Sequence, residues 1–135
     1  MKLIKRDADY AIRAMCFMAK AGGKRIPVTE IVKALGIPRP FMRKILQTLN
    51  RRRLVRSYKG KGGGFSVDCK CGNVRLTDVI EAFQGPLKLN ECLFKRSVCP
   101  NVGTCPLKSR IDKVERRVIS ELRGITIKEL VGKGR

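Results

Sequence analysis

A mainly α fold with a small β-hairpin, built as a winged helix-turn-helix domain plus a long helix suited to dimerisation, is predicted by three features of the sequence. Residues 28–51 hold two amphipathic segments separated by Gly36-Ile37-Pro38, the pattern of two helices joined by a tight turn. KGKGGG (Lys59–Gly64) separates two short runs of strand-forming residues, which reads as a hairpin. Residues 107–123 place Leu107, Ile111, Val114, Val118 and Leu122 along one stripe of a helix about 25 Å long at ~1.5 Å per residue.

The elements follow in order. A first helix is expected from about Asp7 to Ala21, with Asp7 as N-cap; Ala11, Ala14, Met15 and Met18 recur at helical spacing, Tyr10 and Phe17 widen the face, and Gly22-Gly23 ends it. It should be the most buried helix. After Pro27, VTEIVKAL (Val28–Leu35) forms a short helix that stops at Gly36, and the next starts at Pro40, a residue suited to the first helical turn. In that helix Phe41, Ile45 and Leu49, flanked by Met42 and Leu46, form the apolar stripe, leaving Arg43, Lys44, Gln47 and Arg51 on the other face. Strands are expected at Leu54–Tyr58 and Phe65–Val67, the glycines between them supplying the positive φ angles of a tight turn. GKGGG is not a phosphate-binding P-loop, because that motif continues into Ser/Thr and a helix, whereas here an apolar strand follows. No nucleotide cofactor is therefore expected.

Charge identifies the partner. The chain of 135 residues carries a formal charge of +20, distributed unevenly. Residues 1–65 hold 17 Lys/Arg against 3 Asp/Glu, giving +14, and the remainder hold 14 against 8, giving +6. Nine basic residues and no acid lie between Arg39 and Lys61. Such a field implies a polyanion, most commonly nucleic acid, although a merely solvated basic surface has the same composition. Arg and Gln make bidentate contacts to base edges and Lys more often meets phosphate, so Arg43 and Gln47 are the expected base readers. Arg39, Phe41, Lys44, Arg51 and the wing residues Lys59 and Lys61 complete the expected DNA-binding set.

The length and a 43% apolar content suit one globular domain, or one small domain with an appendage. The longest apolar run, Ala14–Ala19, is far too short to span a membrane, and the first ten residues lack a signal-peptide core. The expectation is a cytoplasmic protein with no membrane partner. In a reducing compartment its six cysteines are better read as metal ligands, catalytic thiols or redox sensors than as a disulfide frame. Three of them, Cys92, Cys99 and Cys105, are spaced C-x6-C-x5-C in one polar stretch. Catalysis has little support: the chain has no histidine and no pair of acids beside a nucleophile.

The opening MKL with DYAIRAM (Asp9–Met15), GIPRPFMRKIL-x-x-L (Gly36–Leu49), LV-x-S-x-K-G-x-GGGF (Leu54–Phe65), LTDVIEAFQGPL (Leu76–Leu87) and the three spaced cysteines follow one another in the order of a known family. Over nearly its whole length the sequence resembles the Rrf-type winged-helix transcription regulators (IscR/NsrR/CymR-like). In the cluster-binding branch the three cysteines hold an iron–sulfur cluster and the protein is a homodimeric regulator whose DNA affinity depends on cluster state. The resemblance thus implies that Cys92, Cys99 and Cys105 are cluster ligands, with 4Fe-4S favoured and 2Fe-2S the alternative. Thiolate is the soft ligand such clusters require. Cys105 directly precedes Pro106, the expected first residue of the long helix, whose positive end would favour an anionic cluster. Zinc competes, although four-cysteine zinc sites usually arrive as close pairs; a metal-free site is the third reading.

The fourth ligand departs from one pattern of the family, in which a histidine follows the third cysteine by three residues; Lys108 stands there. In another branch an aspartate near the N-terminus of the partner subunit fills the role, and alignment through D-Y-A-I-R gives Asp9. Its alternative role is an ordinary acid in the first turn of a helix. Cys69 and Cys71, in VDCKCGN, read as exposed bystanders rather than ligands, and Cys16 as core.

A long helix with one narrow apolar seam needs a partner, and in the family this helix builds the two-fold interface. Gly124 ends it, and Thr126 with Glu129 forms a capping box for a short last helix. The expected organisation is a DNA-binding domain at 1–75, then the cluster loop (about 88–106) and dimerisation helices in 76–135. Two recognition helices in a homodimer suit a palindromic double-stranded operator. The leading expectation is a repressor sensing nitric oxide, redox state or iron–sulfur status. The alternatives are a metal-free regulator acting by thiol oxidation or a partner protein and, from another class, a small iron–sulfur electron-transfer protein.

Overall fold

α1 (Arg6–Lys20) buries Ala8, Ala11, Ala14, Met15 and Met18, and its small alanines let α4 (Leu76–Gln84) and α6 (Ile127–Lys133) pack closely on it. The computed structural model describes residues 3–67, 74–87 and 106–133. α1 begins one residue before the expected start, with Lys5 as N-cap, and Asp7 lies in the first turn rather than capping it. The cause is tertiary. Gln84 at the end of α4 clasps the N-terminal segment: its Oε1 accepts from the Lys5 N–H at 2.8 Å and its Nε2 donates to the Leu3 carbonyl at 3.0 Å. The capping function is thus supplied from 79 residues away.

α2 (Val28–Leu35) and α3 (Arg39–Arg51) form the helix-turn-helix. Gly36 ends α2 in the left-handed conformation at φ 68°, where a side chain is disfavoured, and its N–H bonds the Val32 carbonyl at 2.8 Å. Pro40 occupies the first turn of α3, as expected, although the helix starts at Arg39. The buried stripe of α3 is Met42, Ile45, Leu46 and Leu49, spaced i, i+3, i+4 and i+7. Phe41 is not part of it. It is 43% exposed, and the Arg6 guanidinium lies 5.0 Å above its ring centroid, a cation–π contact joining the start of α1 to the start of α3.

α3 closes in a Schellman arrangement: the Leu54 N–H reaches the Leu49 carbonyl at 2.9 Å and the Arg53 N–H reaches Asn50 at 2.9 Å. Because this turn uses residues 52–55, the first strand is shorter than expected. β1 (Arg56–Tyr58) pairs antiparallel with β2 (Gly64–Ser66) in the register Arg56–Ser66, Ser57–Phe65 and Tyr58–Gly64. Ile26 joins them by exchanging two backbone bonds with Phe65, at 2.8 and 3.0 Å, which fastens the hairpin to the approach of α2. Gly64 lies against Ile26 there at φ 142°, and a Cβ would stand 2.7 Å from the Ile26 carbonyl carbon. Only glycine fits.

The starts of α4 and α6 are tied by backbone bonds from Leu76 N–H to Ile125 and from Ile127 N–H to Val74, at 2.9 and 3.0 Å. Asp78 caps α4 by accepting from the Arg75 N–H at 2.9 Å. The Thr126 hydroxyl accepts from the Glu129 N–H at 3.1 Å, which is one half of the expected capping box. Ile127 is fully buried and belongs to the same main core cluster as Met15 and Leu49.

α5 (Pro106–Arg123) buries no residue completely. Ile119 and Leu122 pack near Leu76, Ile80 and Leu87, whereas Leu107 is 68% and Val114 48% exposed. The apolar seam therefore rests on the domain at its C-terminal end and faces solvent farther up.

Candidate nucleic-acid interface

Arg39, Arg43 and Gln47 recur every fourth residue on the exposed side of α3, because Met42, Ile45, Leu46 and Leu49 commit the opposite side to the core. Across from them stands the hairpin. The two form the walls of one groove of about 460 Å³, with Thr29 at the start of α2 and Tyr58 and Lys59 on the wing side. Among the described residues no carboxylate lines it. Two guanidiniums, an ammonium, an amide and three hydroxyls form a surface of donors with positive potential, suited to phosphates and base edges.

Arg25 and Ser66 hold the wing wall in place. The Arg25 guanidinium lies 4.7 Å over the Tyr58 ring and donates to the Gly62 carbonyl in the hairpin turn at 3.4 Å. The Ser66 hydroxyl donates to the Tyr58 hydroxyl at 3.3 Å. That hydrogen bond is the main reason the Tyr58 phenol is held below its ordinary value; Arg56 and Arg25 add to the effect and burial opposes it.

Of the residues expected to bind DNA, Arg39, Arg43, Gln47 and Lys59 meet in the groove. Phe41, Lys44, Arg51 and Lys61 are exposed outside its lining, Lys61 at the hairpin turn and Arg51 at the last position of α3. Thr29, Tyr58 and Arg25 were not singled out from sequence. A basic residue immediately before Ile26-Pro27 and an aromatic one at the end of a strand carry no distinctive pattern until the hairpin folds back on α2.

Asp9 is partly exposed on α1 and accepts from Arg13 Nε at 3.1 Å, one turn farther along. Cys16 is half-buried against the main core, as expected. Cys92, Cys99, Cys105, Cys69 and Cys71 lie outside the described residues.

A sequence profile of the Rrf2 family, described as iron-dependent transcriptional regulators, matches residues 4–133. The chain belongs to the Rrf2 family. Among relatives of this Rrf2 protein, protein aau3 of Rhizobium meliloti is 32% identical over 132 residues, covering 97% of this chain and 85% of that one. CymR, the global cysteine regulator of B. subtilis, superimposes with a TM-score of 0.84 at 20% identity over 100% of both chains. T. potens IscR gives 0.77 at 20% identity, over 100% of this chain and 89% of its own. An oxidized form of Staphylococcus aureus CymR gives 0.73 at 20% identity, over 97% and 96%. The fold is thus the winged helix of the Rrf2 regulators, and the protein is a DNA-binding transcriptional regulator rather than an enzyme.

Proposed function

We propose that this Rrf2 regulator is a cytoplasmic homodimer that reads a palindromic operator and represses transcription according to the state of an iron–sulfur cluster. The observation that carries the DNA half is the groove in which Arg39, Arg43 and Gln47 of α3 face Lys59 of the wing, with no acid among the described residues that line it. Arg43 and Gln47 read base edges, while Lys44, Arg51, Lys59 and Lys61 meet phosphates and Phe41 braces the start of α3. Residues 1–75 carry this reading head, and 76–135 carry the sensing loop and the pairing helix. The exposed Leu107 and Val114 are the part of the α5 seam that a second copy covers.

For the sensing half, the donor set fits. Cys92, Cys99 and Cys105 offer three soft thiolates in a chain without histidine, and the third directly precedes in sequence Pro106, where the 18-residue α5 begins with its positive end. Asp9, contributed by the opposite protomer, is the proposed oxygen ligand, releasing its bond to Arg13 to serve. When bound, the cluster supplies reactivity toward nitric oxide and oxidants. The protein's share is to tie the first helix of one reading head to the pairing helix of its partner, so that ligation favours one arrangement of the heads.

Anaerobic purification followed by visible spectroscopy and iron, sulfide and zinc analysis tests this. Iron and acid-labile sulfide in near-equal amounts are expected, lost when any of the three cysteines is replaced by alanine and retained for Cys16, Cys69 and Cys71. Asp9→Ala should keep the cluster and shorten its lifetime. A second reading, regulation by thiol oxidation without metal, draws on the likeness to CymR, of which an oxidized form is known. Protein that purifies anaerobically without iron and changes DNA affinity on mild oxidation would favour it.

A further inference from the structure

Arg53 is the one non-glycine residue with positive φ among the described residues, at 62°. It occupies the position just past α3 where glycine is the usual choice, because a Cβ there crowds the backbone. It also lines a second concavity, of about 510 Å³, together with Asn50, Arg56 and Tyr58. Tyr58 and Ser57 line both this bay and the reading groove, so the two lie either side of β1. Among the described residues no carboxylate lines the bay, and Arg51, Arg52, Arg53 and Arg56 are exposed and take part in none of their ion pairs. A backbone position suited to glycine thus carries a cation aimed into a surface of one sign, contiguous with the reading groove.

We propose that this bay is a second phosphate-binding surface, in which Arg53 and Arg56 grip the duplex backbone beyond the stretch read by α3. The occupant is DNA phosphate rather than an acidic protein, because the bay continues the groove through Tyr58 and a duplex lying along one extends across the other. The bay adds affinity without sequence preference and lengthens the footprint. This rests on the DNA-binding reading, and the test keeps the two apart.

The test measures binding of a mixed-sequence duplex, longer than two helical turns, across a salt series for the parent, Arg53→Gly and Arg53→Gly/Arg56→Gln. Each neutralised phosphate adds about 0.9 to the slope of log K against log salt, and a bound dimer carries two copies of each arginine, so the slope should shrink by about 2 for the single variant and about 4 for the double one. Because glycine suits this turn, Arg53→Gly should melt at or above the parent temperature, and lost affinity will not be lost folding. A parent that fails to bind the duplex overturns both the bay and the DNA-binding reading. A parent that binds, with variant slopes unchanged, overturns the bay alone. Unchanged slopes with a lower melting temperature would mean that the arginines serve only the dipole at the end of α3.

Discussion

Arg43 and Gln47 differ from Lys59 in what their side chains can distinguish. A guanidinium or a carboxamide presents a fixed fork that matches one base edge, whereas an ammonium is a point charge indifferent to sequence. Arg43→Ala and Gln47→Ala should each reduce the preference for operator over mixed-sequence duplex by about 1–3 kcal/mol. Lys59→Ala should weaken both duplexes alike. Competition binding on the two duplexes measures this, and a change of preference confined to the wing variant would reverse the roles. Arg43 and Gln47 were legible in the sequence because the apolar spacing of α3 leaves them on the exposed face. Phe41 was misplaced because an aromatic residue beside an apolar stripe looks like core, and only the tertiary approach of Arg6, 5.0 Å from its ring, supplies its actual partner.

Helix boundaries followed local chemistry where local chemistry decides them. Val28–Leu35 was fully legible, bounded by Pro27 and by Gly36 at positive φ. The start of α1 was not, since its N-cap is organised by Gln84, and no local pattern announces a partner so distant in sequence. Gln84→Ala removes the partners of two backbone groups at once and should cost about 1–3 kcal/mol of stability, measured by denaturant unfolding, with faster hydrogen exchange at the Lys5 amide. A stability equal to the parent's would show that water replaces Gln84 at no cost. At α5 the seam was legible as a stripe, and its exposed half is the reason to expect a second copy. Val114→Asp places a carboxylate in that seam and should raise the dimer dissociation constant at least tenfold, about 1.4 kcal/mol. Sedimentation velocity tests this, with circular dichroism confirming that the monomer stays folded.

At the scale of the molecule, the proposed sensing depends on packed contacts that run from the end of α4 to the start of α3. Leu87, three residues past the end of α4 and the last described residue before the cysteine stretch, is buried in one cluster with Leu76 and Ile80 of that helix. Gln84 holds Leu3 and Lys5, and Arg6 stacks on Phe41 at the start of α3. Asp9 lies one turn along the same helix. DNA affinity can respond to the cysteine stretch only through a different preference for two arrangements of this assembly, and a tenfold response requires only about 1.4 kcal/mol. The central claim is therefore tested by operator affinity measured anaerobically on one preparation before and after its iron is removed, beside a Cys99→Ala protein, using an operator selected from random duplexes. The expected result is a change of at least tenfold on iron removal, with Cys99→Ala matching the iron-free parent throughout. Identical affinity in all three proteins would contradict it.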